Sequence, residues 1–124
     1  MTGKVVDASA LAAAAFLEKE ATSIGAQLSG QQLFAPFLLR YEMSNICWKK
    51  MRQSPGIRTM LLEQLVASQT LPIELKDVDF PGVINLANRH NLTAYDASYL
   101  WLARSLGIEL VTLDDQLEKA AKAI

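Results

Sequence analysis

Four acidic residues stand where the surrounding pattern tolerates charge least. Asp7 closes the apolar run of Val5 and Val6, and Asp114 closes a second run through Leu110, Val111, Thr112 and Leu113. In parallel sheets, ligands bind outside the carboxyl ends of strands, and both acids fall there. Asp96 lies among Ala94, Tyr95, Ala97, Tyr99 and Leu100. Glu42 lies among Leu38, Leu39 and Ile46, with Asn45 three residues on and so on the same helical face. Each acid alone has an ordinary structural reading. Asp7 and Asp114 can cap the helices that follow them, Asp96 can favour a helix dipole, and Glu42 can face solvent. Convergence of all four is a different matter, because their charges repel and the usual escapes are protonation or a bound cation. A donor set of oxygens, without Cys or His, selects Mg²⁺ or Mn²⁺. Such an ion lowers the pKa of a bound water and neutralises charge on a phosphoryl oxygen, so the chemistry indicated is metal-assisted hydrolysis of a phosphodiester.

The elements that must position these acids follow from periodicity. Residues 4–6 read as a strand ending at Asp7, and residues 8–20 as Ala- and Leu-rich helix. Helix is expected to continue over residues 21–28, until Ser29 and Gly30 break it. Residues 32–35 are a second strand. Pro36 suits the first turn of a helix running to about Arg52, with Leu38, Leu39, Met43, Ile46 and Cys47 at helical spacing. Ser54, Pro55 and Gly56 are a break. Residues 58–68 form a helix whose apolar stripe is Met60, Leu61, Leu62, Leu65 and Val66. Residues 71–75 are a weakly alternating strand, and residues 79–90 a helix opened by Asp79 and Pro81. Residues 94–106 are a nearly apolar helix stopped by Gly107, residues 108–112 the clearest strand, and residues 114–123 a closing helix. Alternation of strand and helix predicts an α/β fold, a parallel sheet flanked by helices on both faces. The strands at residues 5–6 and 108–112 lack polar alternation and are expected to be fully buried.

Composition narrows the function classes. The 124 residues are 51% hydrophobic and 20% charged, a one-domain composition. Twelve Lys and Arg against thirteen Asp and Glu give a net charge of −1, which excludes a uniformly basic nucleic-acid coat protein but leaves room for a local basic patch. A single cysteine, Cys47, excludes an internal disulfide, and with one histidine, His90, it also excludes a zinc finger. No apolar run is long enough to span a membrane and no signal pattern precedes Asp7, so a cytoplasmic location is expected.

The chain resembles the PIN-domain ribonucleases, and within them the small VapC-like toxins of type II toxin–antitoxin pairs. The resemblance rests on four stretches in order: Val5, Val6, Asp7, Ala8, Ser9, Ala10 and Leu11; Tyr41, Glu42, Met43, Ser44 and Asn45; Thr93, Ala94, Tyr95, Asp96, Ala97, Ser98, Tyr99 and Leu100; and Leu110, Val111, Thr112, Leu113 and Asp114. Any one stretch is weak, but four at these separations are specific, and together they cover essentially the whole chain. The resemblance implies a single PIN-like domain over residues 1–124, with a parallel twisted sheet of four to five strands. It carries the family's metal-binding acids onto Asp7, Glu42, Asp96 and Asp114, and its supporting polar residues onto Ser9, Asn45 and Thr112. Asp115 competes for the last position, but the spacing to Thr112 selects Asp114. The resemblance further implies endonucleolytic cleavage of RNA with Mg²⁺ or Mn²⁺, a homodimer, and inhibition by a cognate antitoxin protein.

Other residues are read beside these. Arg40, Lys49, Lys50 and Arg52, with Arg58, are either a phosphate-contacting patch or a solvated helix end. Trp48, Trp101, Tyr95 and Tyr99 can stack on bases, but Tyr99 and Trp101 lie in so apolar a helix that core or interface packing is the better reading. Phe34, Phe37 and Leu38 are core or an antitoxin groove. His90 is read as a helix-end residue and Cys47 as inert core. The rival functions are a PIN-like nuclease of RNA processing or of DNA, and a binding module without catalysis. A phosphoacceptor receiver domain also carries acids at strand ends, but it pairs them at its first strand, where Asp7 stands alone.

Overall fold

A computed structural model describes residues 3–123. The expected range 1–124 therefore includes Met1, Thr2 and Ile124, which lie outside the described residues. The order of elements is β1 (Gly3–Val6), α1 (Ala8–Ala15), α2 (Ala21–Leu28), β2 (Gln32–Pro36), α3 (Leu38–Gln53), a 3-10 turn (Pro55–Ile57), α4 (Arg58–Gln69), β3 (Ile73–Lys76), α5 (Phe80–His90), α6 (Ala94–Leu106), β4 (Glu109–Val111) and α7 (Asp115–Lys122). The four strands form one parallel sheet in the order β3-β2-β1-β4. From β1 the chain steps outward to β2 and β3, then returns to the other side of β1 as β4. The order reverses between β1 and β4, and that reversal opens the crevice where open α/β sheets bind ligands.

Apolar side chains of β1 and β2 pack with those of α1, α3 and α6 into the main core, which includes Val5, Val6, Leu11, Leu39, Met43 and Tyr99. A smaller cluster joins α5, α6 and α7 through Val83, Leu86, Leu100 and Leu117. The long apolar helix α6 borders both cores, which explains why its sequence lacks a polar face. Its limits follow local chemistry: Thr93 caps Asp96 N at the start, and Gly107 ends it with φ 67°. Asp7, Asp79 and Asp114 cap α1, α5 and α7 through their carboxylates.

Several expectations are corrected. The Ala-rich helix does not run on through residue 20 to residue 28: α1 stops at Ala15. Leu17 adopts φ 53° and the Glu18 amide donates to the Ala13 carbonyl at 2.9 Å, a left-handed helix closure with leucine where glycine is usual. Pro36 ends β2 and does not open α3. The stripe of α4 is narrower than its sequence pattern: Leu61 is buried, but Met60, Leu62 and Val66 face outward, because α4 packs on α1 and α3 along one seam. β4 is an edge strand with Glu109 exposed and only Val111 buried, so residues 108–112 are not the fully buried strand expected. Cys47 is buried, its thiol directed at the Leu61 carbonyl at 3.6 Å. His90 ends α5 beside Arg104.

The α5–α6 contact depends on Gly82. A methyl group there would sit 2.6 Å from Trp101 Nε1 and 2.9 Å from Asp79 Oδ2. Gly82→Ala is expected to displace the indole or the cap and cost about 1–3 kcal/mol. A thermal melt should show this as a midpoint several degrees lower.

Candidate active site

β1 and β4 deliver their ends to the same point of the sheet edge, since Val6 pairs with Val111 and the Asp7 amide donates to the Val111 carbonyl at 3.2 Å. Asp7 is only 4% exposed. Its Oδ1 accepts from the Ala10 amide at 3.0 Å and from the Ser9 hydroxyl at 2.8 Å. Its Oδ2 accepts from the Thr112 hydroxyl at 2.5 Å. Both hydroxyls also accept from the loop beyond β4: Ser9 Oγ from the Leu113 amide and Thr112 Oγ1 from the Asp114 amide, each at 3.0 Å. Ser9 and Thr112 thus relay backbone amides of one strand end onto the carboxylate of the other.

Asp7, Glu42, Asp96 and Asp114 line one open cavity of about 520 Å³, with Ser9, Asn45 and Lys49 in its wall. Asp96 comes from the first turn of α6, Glu42 and Asn45 from neighbouring turns of α3, and Asp114 from the loop that caps α7. Asp115 lies outside this wall. The capping readings of Asp7 and Asp114 hold at the same time. Asp114 spends Oδ1 on the Leu117 amide at 2.8 Å, so capping and lining the cavity are compatible uses of one carboxylate.

Burial is the first cause that raises the Asp7, Glu42 and Asp96 carboxyls above the usual range. Like charge adds to it: Asp114 acts on Asp96, Asp96 on Asp7, and both Asp96 and Asp7 on Glu42. Hydrogen bonds from Thr112, Ala10 and Ser9 oppose the effect at Asp7, and Tyr99 opposes it at Glu42. Tyr99 is the participant that sequence patterning assigned to core or interface packing. Its ring is core, but its hydroxyl donates to Glu42 Oε1 at 2.6 Å. The available signal was its spacing, three residues after Asp96 and so on the same face of α6.

The basic residues are not gathered on the cavity. Lys49 lines the cavity. Lys50 instead pairs with Glu18 and lies over the Phe16 ring, and Arg52 stacks on exposed Trp48 at 5.0 Å. Arg40 and Arg52 do not line the cavity. The aromatic groove also divides: Phe34 is core, whereas Phe37 and Leu38 line a neighbouring apolar pocket of about 290 Å³ with Phe80 and Tyr95.

Among the described residues, no three acidic, His or Cys side chains close on a single point as a ready metal cluster. The carboxylates ring the cavity more loosely. That donor set still fits a hard cation that keeps several of its waters, the ordinary habit of Mg²⁺. Glu42 and Asp114 each hold an oxygen uncommitted to the hydrogen bonds just described.

The PIN domain model matches residues 4–123. This chain belongs to the PIN domain family. It is 33% identical over 125 residues to Ribonuclease VapC3 of Pyrobaculum aerophilum, covering 97% of this chain and 95% of that protein. It is 34% identical over 80 residues to Exonuclease VapC9 of the same organism, covering 62% of this chain and 58% of that one. A P. aerophilum protein of known crystal structure superposes on this PIN domain with a TM-score of 0.80 at 29% identity, covering 98% of this chain and 81% of its own. Mycobacterium tuberculosis VapC20, a sarcin–ricin loop cleaving toxin, superposes with a TM-score of 0.68 over 98% of this chain and 97% of its own. At 12% identity, that last likeness is one of fold alone.

The raised Asp96 carboxyl makes a stability prediction. A carboxyl that binds its proton more tightly in the fold than in the unfolded chain costs stability as pH rises from the ordinary carboxylate range through the raised value. The cost is complete above that value and absent well below the ordinary range. Asp96→Asn removes it. Metal-free, chelator-treated Asp96→Asn should therefore melt above the wild type at neutral pH, with the gap closing in acid. A variant that melts lower at neutral pH contradicts the raised carboxyl and its causes, burial first and the Asp114 charge second.

Proposed function

We propose that this PIN domain is a Mg²⁺- or Mn²⁺-dependent endoribonuclease and the toxin half of a toxin–antitoxin pair. The observation that carries the reading is the cavity: four carboxylates from separate segments, with one lysine in the wall, at the crevice where the strand order reverses. Likeness to Ribonuclease VapC3 along nearly the whole chain supports the substrate class and the antitoxin partner. Residues 1–124 are read as one domain, acting as a homodimer in the cytoplasm. Among the described residues, no helix is long and apolar enough to cross a membrane.

Asp7, Asp96 and Asp114 would hold the cation, directly or through water, with Glu42 completing the site. When bound, it supplies a more acidic water and offsets charge on the phosphoryl group. The residues do the rest. Thr112, Ser9 and the Ala10 amide fix both oxygens of Asp7. Glu42 has Oε1 tied to Tyr99 and can accept the proton of an attacking water at Oε2. The water oxygen bonds to phosphorus, the ester P–O bond breaks, and the leaving oxygen takes up a proton. Lys49 supplies a point charge for a flanking phosphate, and the Asn45 amide can donate to it.

A second reading, cleavage from chain ends, is favoured by one relative's name, Exonuclease VapC9. Circular RNA separates the two, because only an endonuclease opens it. Purified protein is expected to cut circular and linear RNA with Mg²⁺ or Mn²⁺ and not with chelator. Asp7→Asn and Asp96→Asn should each lose more than about a hundredfold, since even outer-shell partners of a metal are worth 10–100-fold. Cleavage that survives chelation and either substitution would sink the site.

Lys49→Ala tests the phosphate contact separately. RNA binding should weaken across sequences, and the slope of log affinity against log salt should fall by about 1. Lys50→Ala, at the position already paired to Glu18, should leave that slope unchanged.

A further inference from the structure

The Glu42 side chain poses a problem of position. It is half-buried, turns about several single bonds, and lies where Asp96 and Asp7 both repel it. α3 and α6 each rest on β2 and share the main core, and Glu42 itself stands at the edge of that packing, in the cavity wall. Lys49, exposed on the same helix, lies in the wall of the same cavity. The Tyr99 hydroxyl spans the gap and donates to Glu42 Oε1 at 2.6 Å. Its ring cannot follow a wandering carboxylate, because Tyr99 is 1% exposed and fixed in the main core. Asp96 stands one turn earlier on α6, so donor and opposing acid keep a fixed register.

We propose that Tyr99 is a positioning residue: its hydroxyl, anchored in the core, holds the Glu42 carboxylate in the cavity against repulsion by Asp7 and Asp96. The inference rests on the carboxylate site proposed above and adds a residue to it. Tyr99 borders the same cavity, and its one side-chain bond there is to Glu42, through which the proposed role is exercised. A hydroxyl that merely filled space in the core would contribute to stability but not specifically to what Glu42 does.

Tyr99→Phe keeps the ring and deletes the donor. Four proteins decide the matter: wild type, Tyr99→Phe, Glu42→Ala and the double variant. Each is measured for Mn²⁺ binding by calorimetry without RNA, for RNA cleavage, and for its melting midpoint. Tyr99→Phe is expected to weaken Mn²⁺ binding about tenfold, the ordinary loss when a partner of a ligand is removed. With Glu42 already Ala, the same substitution should change Mn²⁺ affinity less than about twofold, because independent sites add and coupled ones do not. Wild-type Mn²⁺ affinity in Tyr99→Phe, or an equal loss in the Glu42→Ala background, overturns the positioning role while leaving the nuclease reading intact. A wild type that neither binds Mn²⁺ nor cleaves RNA overturns both.

Discussion

A carboxylate that water can barely reach organises the working edge of this sheet. Asp7 sits at the end of the central strand β1 with 4% of its surface exposed. Burying an ion in that way costs several kcal/mol unless its oxygens are satisfied. Three donors satisfy it: Thr112, Ser9 and the Ala10 amide. Each requirement propagates. Ala10 N is available only if α1 begins directly after β1. Thr112 is available only if β4 pairs with β1 in the observed register, and Ser9 must then bridge to the loop that carries Asp114. The position of Asp114 is thus a consequence of how Asp7 is solvated by the protein. One buried charge ties together a helix start, a strand pairing and a loop.

The remaining acids are placed by economical local devices. Asp114 is at once a helix cap and a wall residue, and Asp96 occupies the first turn of a helix whose own cap is Thr93. Caps are rigid, because the geometry that satisfies orphan amides also fixes the side chain that does so. Glu42 differs. It lies within α3, with no terminus to hold it, and its restraint comes from another helix. Four like charges around one cavity oppose folding, and the two apolar cores on either side of α6 carry that burden. Cores that overdetermine a repulsive cluster are the usual way a fold maintains a site it would otherwise relax.

Much of this was legible in the residues, for identifiable reasons. The helix at Ala94–Leu106 was readable to its ends, since Thr93 and Gly107 are strong local signals. The acids stood out because a charge ending an apolar strand has few ordinary explanations. The break after Ala15 was not legible: an alanine run has no intrinsic stop, and Leu17 in the left-handed region answers to tertiary contacts. Those contacts include Glu18 with Lys50 and Phe16 in the core, and the same pairing removed Lys50 from the basic patch. On α4, five apolar positions fill more than one face, so periodicity could not say that only the Leu61 side packs. β4 looked fully buried because an edge strand and a central strand can share one apolar pattern when helices cover a face. Tyr99 was read as core or interface, and its ring is core. Its polar end was invisible because the acceptor, Glu42, lies 57 residues away in sequence.

Electrostatics connects the site to the substrate proposed for it. A polyanion approaching four carboxylates is repelled, and a chain of net charge −1 offers no broad field to overcome that. Lys50 and Arg52 are committed to contacts of their own, so Lys49 is the cation in the cavity wall. On these terms the proposed divalent ion would have a second role besides chemistry. Without it the cavity is a poor place for a phosphate, and with it the local charge becomes acceptable to one. If the proposed ion binds, metal and RNA would bind with positive coupling, each raising the affinity of the other by the same factor. Such a site would oppose nonspecific RNA capture by its own repulsion, with Lys49 as the one basic side chain among the described residues of the cavity wall.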